Sequence, residues 1–314
     1  MKGYDALRRG AAWFDLSSRG RIYAAGEDRA RLLHALSTNH VQQLAPGTGC
    51  YALFLNAQGR ILADANLLCL AGRILIDTEP ETRGRIFQHL DHYIIADDVA
   101  LEDSSESLAC MAIEGPESAA ALTSLGAPLP DTPFSHAAWG DRGLIVRLSH
   151  TGAPGWRIFL PQHEAAGASR GLEEADTEAV RTVRLEHAKP RWGEDFSEAT
   201  VAQEAQQMHA LHFSKGCYLG QEIVERIRSR GHLNKLLVGL RIDATAPPQP
   251  GSKLSAGGVE IGEVTSSAFS PALGKVVALG YVRAAQAAPG SAVTCDGNES
   301  RVVPLWKHQA PDHP

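Results

Sequence analysis

The sequence lacks the features that mark membrane, secreted and nucleic-acid-binding proteins. It contains no apolar run of about 18 residues or more, the length that a membrane-spanning helix needs. Residues 1–5 lack the apolar core of a signal peptide. The formal net charge is −6 at pH 7, whereas general nucleic-acid binders carry a basic excess. We therefore expect a cytoplasmic protein without a membrane partner, and the acidic balance argues against direct nucleic-acid binding.

Cysteine is scarce and scattered. The chain has no Cys-x-x-Cys pair, and its five cysteines are Cys50, Cys69, Cys110, Cys217 and Cys295. An odd number excludes a complete disulfide framework, and the spacing offers no local zinc or cluster motif. We therefore predict no bound metal. With 44% hydrophobic and 21% charged residues over 314 positions, the composition is that of an ordinary globular protein.

A strand-helix unit occurs twice in the first half of the chain. In residues 21–33 and again in residues 110–122, an apolar run ends at a glycine and leads into an acidic first turn, then into alanine and leucine. Pro116 would begin the second of these helices. Between the copies, two apolar runs flank Asn56-Ala57-Gln58-Gly59. This pattern predicts a hairpin in which Gly59 supplies a positive φ.

Asp64 is the unusual residue of that hairpin. Its neighbours in the second strand are apolar, so its carboxylate needs a partner or water. Two interpretations remain open: Asp64 faces solvent through strand alternation, or it belongs to a functional site. A third strand at 73–77 and a helix at 81–92 complete a compact α+β unit.

Residues 181–195 concentrate charge at the end of a predicted helix. Arg184, Glu186 and His187 could form a solvated charged face, which composition alone favours. Trp192 follows in the same segment and could pack against a planar ligand.

The densest group of unusual residues is Lys215-Gly216-Cys217-Tyr218-Leu219-Gly220-Gln221-Glu222. Its glycines allow a sharp turn or a close approach to a ligand. A lysine two residues from a thiol favours the thiolate, which makes Cys217 a candidate reactive cysteine. The alternative is a tight turn before a core strand, with Cys217 as a small buried residue.

This eight-residue motif resembles the signature of the YgfZ family, relatives of the glycine-cleavage T-protein, or aminomethyltransferase. Residues 184–195 are similar to the pattern Arg-x-Glu-x-x-x-Pro-x-x-Gly-x-Asp of the same superfamily. The resemblance implies a protein that binds tetrahydrofolate or another folate. It also implies support of iron-sulfur proteins, their assembly factors and iron-sulfur-dependent tRNA-modifying enzymes as partners.

The resemblance also assigns residue roles. Glu186 would bind the amino and ring nitrogens of the pterin, with Asp64 and Trp192 beside it. Cys217 would be the functional thiol and Lys215 would lower its pKa. The loop residues Tyr218, Gln221 and Glu222 would lie within reach of the folate.

Two departures from the T-protein pattern weaken the case for aminomethyl transfer. The corresponding hairpin of T-proteins ends in two adjacent aspartates, whereas here Ala63 precedes Asp64. T-proteins also carry an acidic residue after a Thr-Gly pair, where this chain has Ala153.

Two further clusters surround the motif. His209 and His212 are three residues apart and close in sequence to Cys217, yet without a fourth ligand they favour surface or capping roles over a metal site. Arg226, Arg228 and Arg230 alternate with other residues, which on a strand would place them in one basic row.

From Leu236 onward the sequence consists of short alternating runs separated by Pro- and Gly-rich turns, and the boundary before them lies near residues 231–234. The runs cover residues 236–242, 259–265, 275–282, 292–294 and 301–305. They predict a small all-β barrel or sandwich. The expected fold is α+β: a T-protein-like folate-binding region of two intertwined α+β subdomains, one of them ferredoxin-like, over residues 1–232, and a β-barrel domain over residues 233–310.

Three functions fit these observations. The first is a folate-binding accessory factor for iron-sulfur cluster assembly or repair that uses Cys217. The second is a folate-dependent aminomethyl or methyl transferase in which Asp64 assists proton transfer. The third is a non-catalytic RNA or protein adaptor that uses the arginine row.

Overall fold

The structure is a computed structural model that describes residues 1–307, and it contains two sheets followed by a closed barrel. This confirms the predicted α+β region with an all-β barrel after it. Within the described residues, no helix is long and apolar enough to cross a membrane.

The first sheet has six strands. In spatial order they are β11 (Glu173–Glu174), β1 (Ala12–Asp15), β7 (Leu108–Glu114), β10 (Gly155–Pro161), β9 (Leu144–Val146) and β8 (His136–Ala138). The helices of this half are α1 (Tyr4–Arg9), α4 (Ser118–Ser124), α5 (Ala165–Ala168) and α6 (Thr177–Glu186). Apolar residues of α1 and α6 share one core with β1 and β7. Helix α4 begins two residues after Pro116, so this proline precedes the helix.

The second sheet has five strands and confirms the predicted hairpin. In spatial order they are β3 (Thr48–Leu55), β4 (Ile61–Leu70), β5 (Arg73–Thr78), β2 (Gly20–Ala25) and β6 (Ala100–Asp103). Helices α2 (Arg29–Leu36) and α3 (Arg83–Tyr93) pack on one face. The hairpin turn holds Gly59 at φ 69°, where an added Cβ would lie 2.8 Å from Ile223. Strand β4 is buried almost throughout because its second face is covered as well, with Leu68 packed in the core of the first sheet.

Helix α7 (Gln221–Arg230) precedes the barrel, whose strands close on themselves. In spatial order they are β12 (Lys235–Ile242), β15 (Lys275–Arg283), β14 (Val259–Ser270), β13 (Lys253–Ala256), β16 (Ala292–Cys295) and β17 (Asn298–Val303). Five of these were predicted, and β13 was missed. The domain boundary at 232/233 stays a prediction, and residues 308–310 of the predicted second domain lie outside the described residues.

Candidate functional site

A small cavity lies where the two sheets meet the loops that follow α6. Its volume is about 50 Å³, which is room for only a few water molecules. The lining residues are polar and come from distant segments: Arg19, Tyr51, Asp64, Asn66, Glu79, Leu148, Ser149, His150, Arg157, Arg184, Lys189, Pro190, Arg191, Gln207, His209 and Trp306. A wider cleft of about 780 Å³ shares five of them, Arg19, Glu79, His150, Arg184 and Arg191.

Strand pairing aims three of these side chains at the cavity. Asp64 and Asn66 are two residues apart on β4, so they share one face of the sheet. Tyr51 lies opposite Asn66 on β3. The Tyr51 hydroxyl donates a hydrogen bond of 2.8 Å to Oδ2 of Asp64. The Tyr51 ring stacks on His209, with centroids 5.1 Å apart.

Asp64 is buried, with 8% of its surface exposed, so the solvent-facing interpretation is wrong. Its Oδ1 is buried and has no hydrogen-bond partner among the described residues. Burial, and then the charge of Glu79, raise the pKa of Asp64 to about 6. A carboxyl group with this pKa can gain or lose a proton near neutral pH.

Arginine-carboxylate pairs form the cavity wall beside Asp64. Arg19 Nε donates to Asp77 at 2.7 Å, and Arg157 pairs with the same carboxylate. Arg191 Nε lies 2.9 Å from Glu79. Burial alone would raise the pKa of Asp77, but the charges of Arg157 and Arg19 outweigh it and lower that pKa. The wall is therefore a fixed array of charges, as expected for a pre-organised polar site.

Lys189 brings an amine into the cavity. Its Nζ donates a hydrogen bond to the Ser149 carbonyl and lies 4.1 Å from the centre of the Trp306 ring. Burial lowers the pKa of Lys189 to about 7; the charge of Glu114 opposes this shift and that of Arg157 adds to it. Trp306 is fixed in turn, because its Nε1 donates to the Gly152 carbonyl at 3.1 Å.

The turn at residues 149–155 is ordered by Glu114 at the end of β7. Its carboxylate accepts hydrogen bonds from the Thr151 amide at 3.0 Å and from the Ser149 hydroxyl at 3.1 Å. Ala153, where the T-protein pattern has an acidic residue, is buried.

Comparison with known proteins decides the family. The model described as the GCVT N-terminal domain matches residues 2–215. The model of the glycine cleavage T-protein C-terminal barrel domain matches residues 235–305. The chain belongs to the glycine cleavage T-protein family.

Individual T-proteins agree with this assignment. The chain is 31% identical to an aminomethyltransferase of Streptomyces coelicolor, over 91% of this chain and 82% of that protein. It is 29% identical to an aminomethyltransferase of Thermosynechococcus vestitus, over 90% of this chain and 79% of that protein. The crystal structure of the glycine cleavage system aminomethyltransferase T from Bartonella henselae has the same fold, with a TM-score of 0.88 at 24% identity over 98% of this chain and 89% of that one.

Within this T-protein fold, Glu186 does not line the cavity. It is the last residue of α6, and its Oε1 accepts hydrogen bonds of 2.5 Å from the hydroxyls of Tyr4 and Ser270. Its Oε2 lies 2.9 Å from Arg8. Glu186 is thus buried between α1 and the barrel, which also excludes the solvated-face interpretation. Its expected contact with a pterin stays a prediction.

Trp192 is also absent from the cavity wall. It is buried in a cluster with Leu53, Ile61 and Tyr218, and the Arg85 guanidinium lies 5.5 Å from its ring centre. Asp64, Glu186 and Trp192 therefore do not converge on one point as the family resemblance implied.

The motif of residues 215–222 forms a loop that leads into α7. Gly220 adopts φ 84°, and a Cβ there would lie 2.6 Å from the Asn56 carbonyl oxygen. Gln221 Oε1 accepts from the Tyr218 amide at 3.2 Å, while Glu222 is exposed. The motif precedes a helix, so the predicted core strand is wrong.

Lys215 connects this loop to the segment of residues 34–39. Its buried Nζ donates hydrogen bonds to the carbonyls of His34 and Ser37 at 2.5 Å and of Asn39 at 3.0 Å. Burial lowers the pKa of Lys215 to about 7. These contacts indicate a positioning role. The expected effect on the pKa of Cys217 stays a prediction.

Cys217 is exposed, whereas the other four cysteines are buried. The interpretation of Cys217 as a small buried residue is therefore wrong. Its chemistry stays a prediction, but a partner can reach this thiol.

The two remaining clusters differ from expectation. His209 stacks on Tyr51 in the cavity, whereas His212 contacts His40, with ring centroids 5.1 Å apart. Neither histidine belongs to a metal-binding group of three side chains among residues 1–307.

The predicted row of arginines lies on helix α7 and consists of Arg226, Arg228 and Arg230. Successive arginines are therefore about 200° apart around the helix axis. They do not form one row.

The cavity has the polarity that a folate headgroup requires, but not the volume for the whole ring system. Among the residues that line it, two buried atoms lack a hydrogen-bond partner within the described part of the chain, namely the acceptor Oδ1 of Asp64 and the donor Nε of Arg157. A pterin carries N–H donors and a carbonyl acceptor that match such a pair. The adjoining cleft of about 780 Å³ offers the space for the rest of the molecule.

Proposed function

We propose that this protein binds tetrahydrofolate and serves, as a member of the YgfZ group, in the assembly or repair of iron-sulfur clusters, including those of tRNA-modifying enzymes. The observation that carries this proposal is the exposed Cys217 on a loop that Lys215 holds in place. Four of five cysteines are buried, as structural cysteines usually are. A thiol that remains exposed on an anchored loop is suited to meet a partner.

The folate would be held by the polar wall of the cavity and cleft. Asp64 offers an acceptor to the N–H groups of the ring, and Arg157 offers a donor. Arg184 and Arg191 line both spaces. Both are already paired with carboxylates of the protein, so they contribute fixed positive charge to the wall. Bound tetrahydrofolate supplies a carrier for a one-carbon unit. The protein supplies orientation, charge and shelter from water.

A second candidate function is a folate-dependent aminomethyl or methyl transferase. The buried carboxyl group of Asp64, with its pKa raised to about 6, favours this candidate because such a group can accept a proton from an amine. The relatives named aminomethyltransferase support this candidate as well as they support the accessory function. Ala63 and Ala153 argue against this candidate, because T-proteins carry an acidic residue at each of these positions.

Complementation separates the two candidates. In a strain that lacks the corresponding protein, the accessory function predicts that Cys217→Ser fails to restore an iron-sulfur-dependent tRNA modification. Cys69→Ala, a change at a buried cysteine, is the matched control and restores it. Full restoration by Cys217→Ser would contradict the accessory function. Turnover of tetrahydrofolate with an aminomethyl donor, lost in Asp64→Asn, would then establish the transferase.

A further inference from the structure

Lys189 is a half-buried lysine whose amine lines the cavity. Its Nζ donates a hydrogen bond to the Ser149 carbonyl and faces the Trp306 ring. No carboxylate among the described residues lies within ion-pair distance of it. A buried ammonium normally has such a partner. One donated hydrogen bond leaves the lone pair of a neutral amine free.

Burial is the main cause that favours the neutral form of Lys189. The charges of Arg157 and Arg19 act in the same direction, whereas those of Glu114 and Glu79 act against it. A lysine that is desolvated beside other cationic groups is the usual form of an amine nucleophile that attacks carbonyl compounds. The cavity therefore presents a nucleophile at neutral pH.

The same cavity contains groups that a carbonyl reaction needs. Arg157 is 2% exposed and its Nε has no acceptor within residues 1–307, so it can donate a hydrogen bond to a carbonyl oxygen. Asp64 is 8% exposed and no donor in the same residues reaches its Oδ1, so it can bind a hydroxyl or accept a proton. The cavity volume of about 50 Å³ encloses only a very small molecule completely, whereas a larger one extends into the adjoining cleft.

We propose that Lys189 captures a one-carbon aldehyde in the central cavity as an imine. The Nζ lone pair attacks the carbonyl carbon, and a proton moves from nitrogen to oxygen to give a carbinolamine. Loss of water then forms the carbon-nitrogen double bond, so no oxidant or reductant is consumed. The inference goes beyond folate binding and does not depend on it, because the aldehyde reacts with the protein directly.

Lys215 is a matched internal control. Burial lowers its pKa to about 7 as well, but its Nζ donates to three carbonyls and does not line the cavity. Three donated hydrogen bonds occupy all three protons of an ammonium and leave no lone pair. A lowered pKa alone would make Lys189 and Lys215 equally reactive, whereas capture in the cavity selects Lys189.

The test is reductive trapping of the full-length protein with limiting formaldehyde and cyanoborohydride at neutral pH, in the absence of folate. Cyanoborohydride reduces the imine to an N-methyl group, which peptide mapping by mass spectrometry locates. We expect Lys189 to be methylated at least about tenfold faster than Lys215 and the exposed Lys253, because most exposed lysines are protonated at this pH. Lys189→Arg should lose only this modification.

Two results would overturn the inference. Methylation of Lys189 no faster than that of Lys253 would show that the amine is not reactive. Equal rates at Lys189 and Lys215 would show that burial, not the cavity, sets the reactivity. Since both results come from the wild-type protein, neither depends on whether a variant folds.

Discussion

The Tyr51 hydroxyl binds one oxygen of the Asp64 carboxyl group at 2.8 Å and leaves the other oxygen buried without a partner among the described residues. A half-satisfied buried carboxyl group costs stability and persists where it serves a function. We therefore expect Asp64 to contact a ligand, and the consequences of this relationship can be measured.

Asp64 should destabilise the protein above its unfolded-state pKa. Because the folded-state pKa is raised to about 6, the native state binds more protons than the unfolded state between about pH 4 and pH 6, so stability falls as pH rises through that range. Asp64→Asn removes this penalty. We expect the variant to gain on the order of 2–3 kcal/mol relative to the wild type between about pH 4 and pH 7.5, measured by urea unfolding. An unchanged difference at the two pH values would refute this.

Lys215 should matter for stability. Lys215→Met removes the ammonium that donates to the carbonyls of His34 and Ser37 and, together with the Val41 amide, to that of Asn39. We expect a loss of about 2–4 kcal/mol in the free energy of unfolding. The control is Lys253→Met, because the ion pairs of this exposed lysine contribute little. If Lys215 served only to activate the thiol, Lys215→Met would unfold at the same urea concentration as the wild type.

Cys217 should be the single thiol that reacts in the native protein. Cys50, Cys69, Cys110 and Cys295 are buried, and burial raises their pKa values, to about 12 for Cys50 and Cys110. We expect a thiol reagent to label one cysteine in native protein and all five after unfolding. Cys217→Ser should abolish native labelling. Rapid labelling of a second cysteine in the folded protein would argue against the described burial.

Glu186 should stabilise the contact between helix α1 and the barrel. Glu186→Gln weakens its contacts with Arg8, Tyr4 and Ser270, and we expect a loss of about 1–3 kcal/mol. Hydrogen exchange should accelerate in α1 and around Ser270. The control is Glu178→Gln, an exposed residue on the same helix. Unchanged exchange in α1, together with lost folate affinity, would restore Glu186 as a folate ligand.

Local pattern was sufficient for most of the fold. Apolar runs that end at glycine predicted the strand-helix units, and Gly59 predicted the β3-β4 hairpin. Helix α7 was assigned to a strand because its arginines alternate. The apolar residues Ile223, Val224 and Ile227, spaced as one face of a helix, were the better signal.

The site was harder to predict because its residues come from many segments. Sequence identified Asp64 by its apolar neighbours, but nothing local indicates that Tyr51, Arg157 and Lys189 meet it. For Glu186 the position in the chain was predicted, but the surroundings of its side chain were not. A motif fixes its place at the end of α6, but the direction of its side chain depends on α1 and β14, which are distant in sequence.

The most direct test of the central claim is calorimetric titration with tetrahydrofolate of the wild type, Asp64→Asn and Glu186→Gln. The account predicts that the wild type binds, that Asp64→Asn binds at least about tenfold more weakly because a hydrogen bond to a charged group is lost, and that Glu186→Gln binds nearly as the wild type does. Absence of binding by the folded wild type, or loss of binding in Glu186→Gln but not in Asp64→Asn, would contradict it.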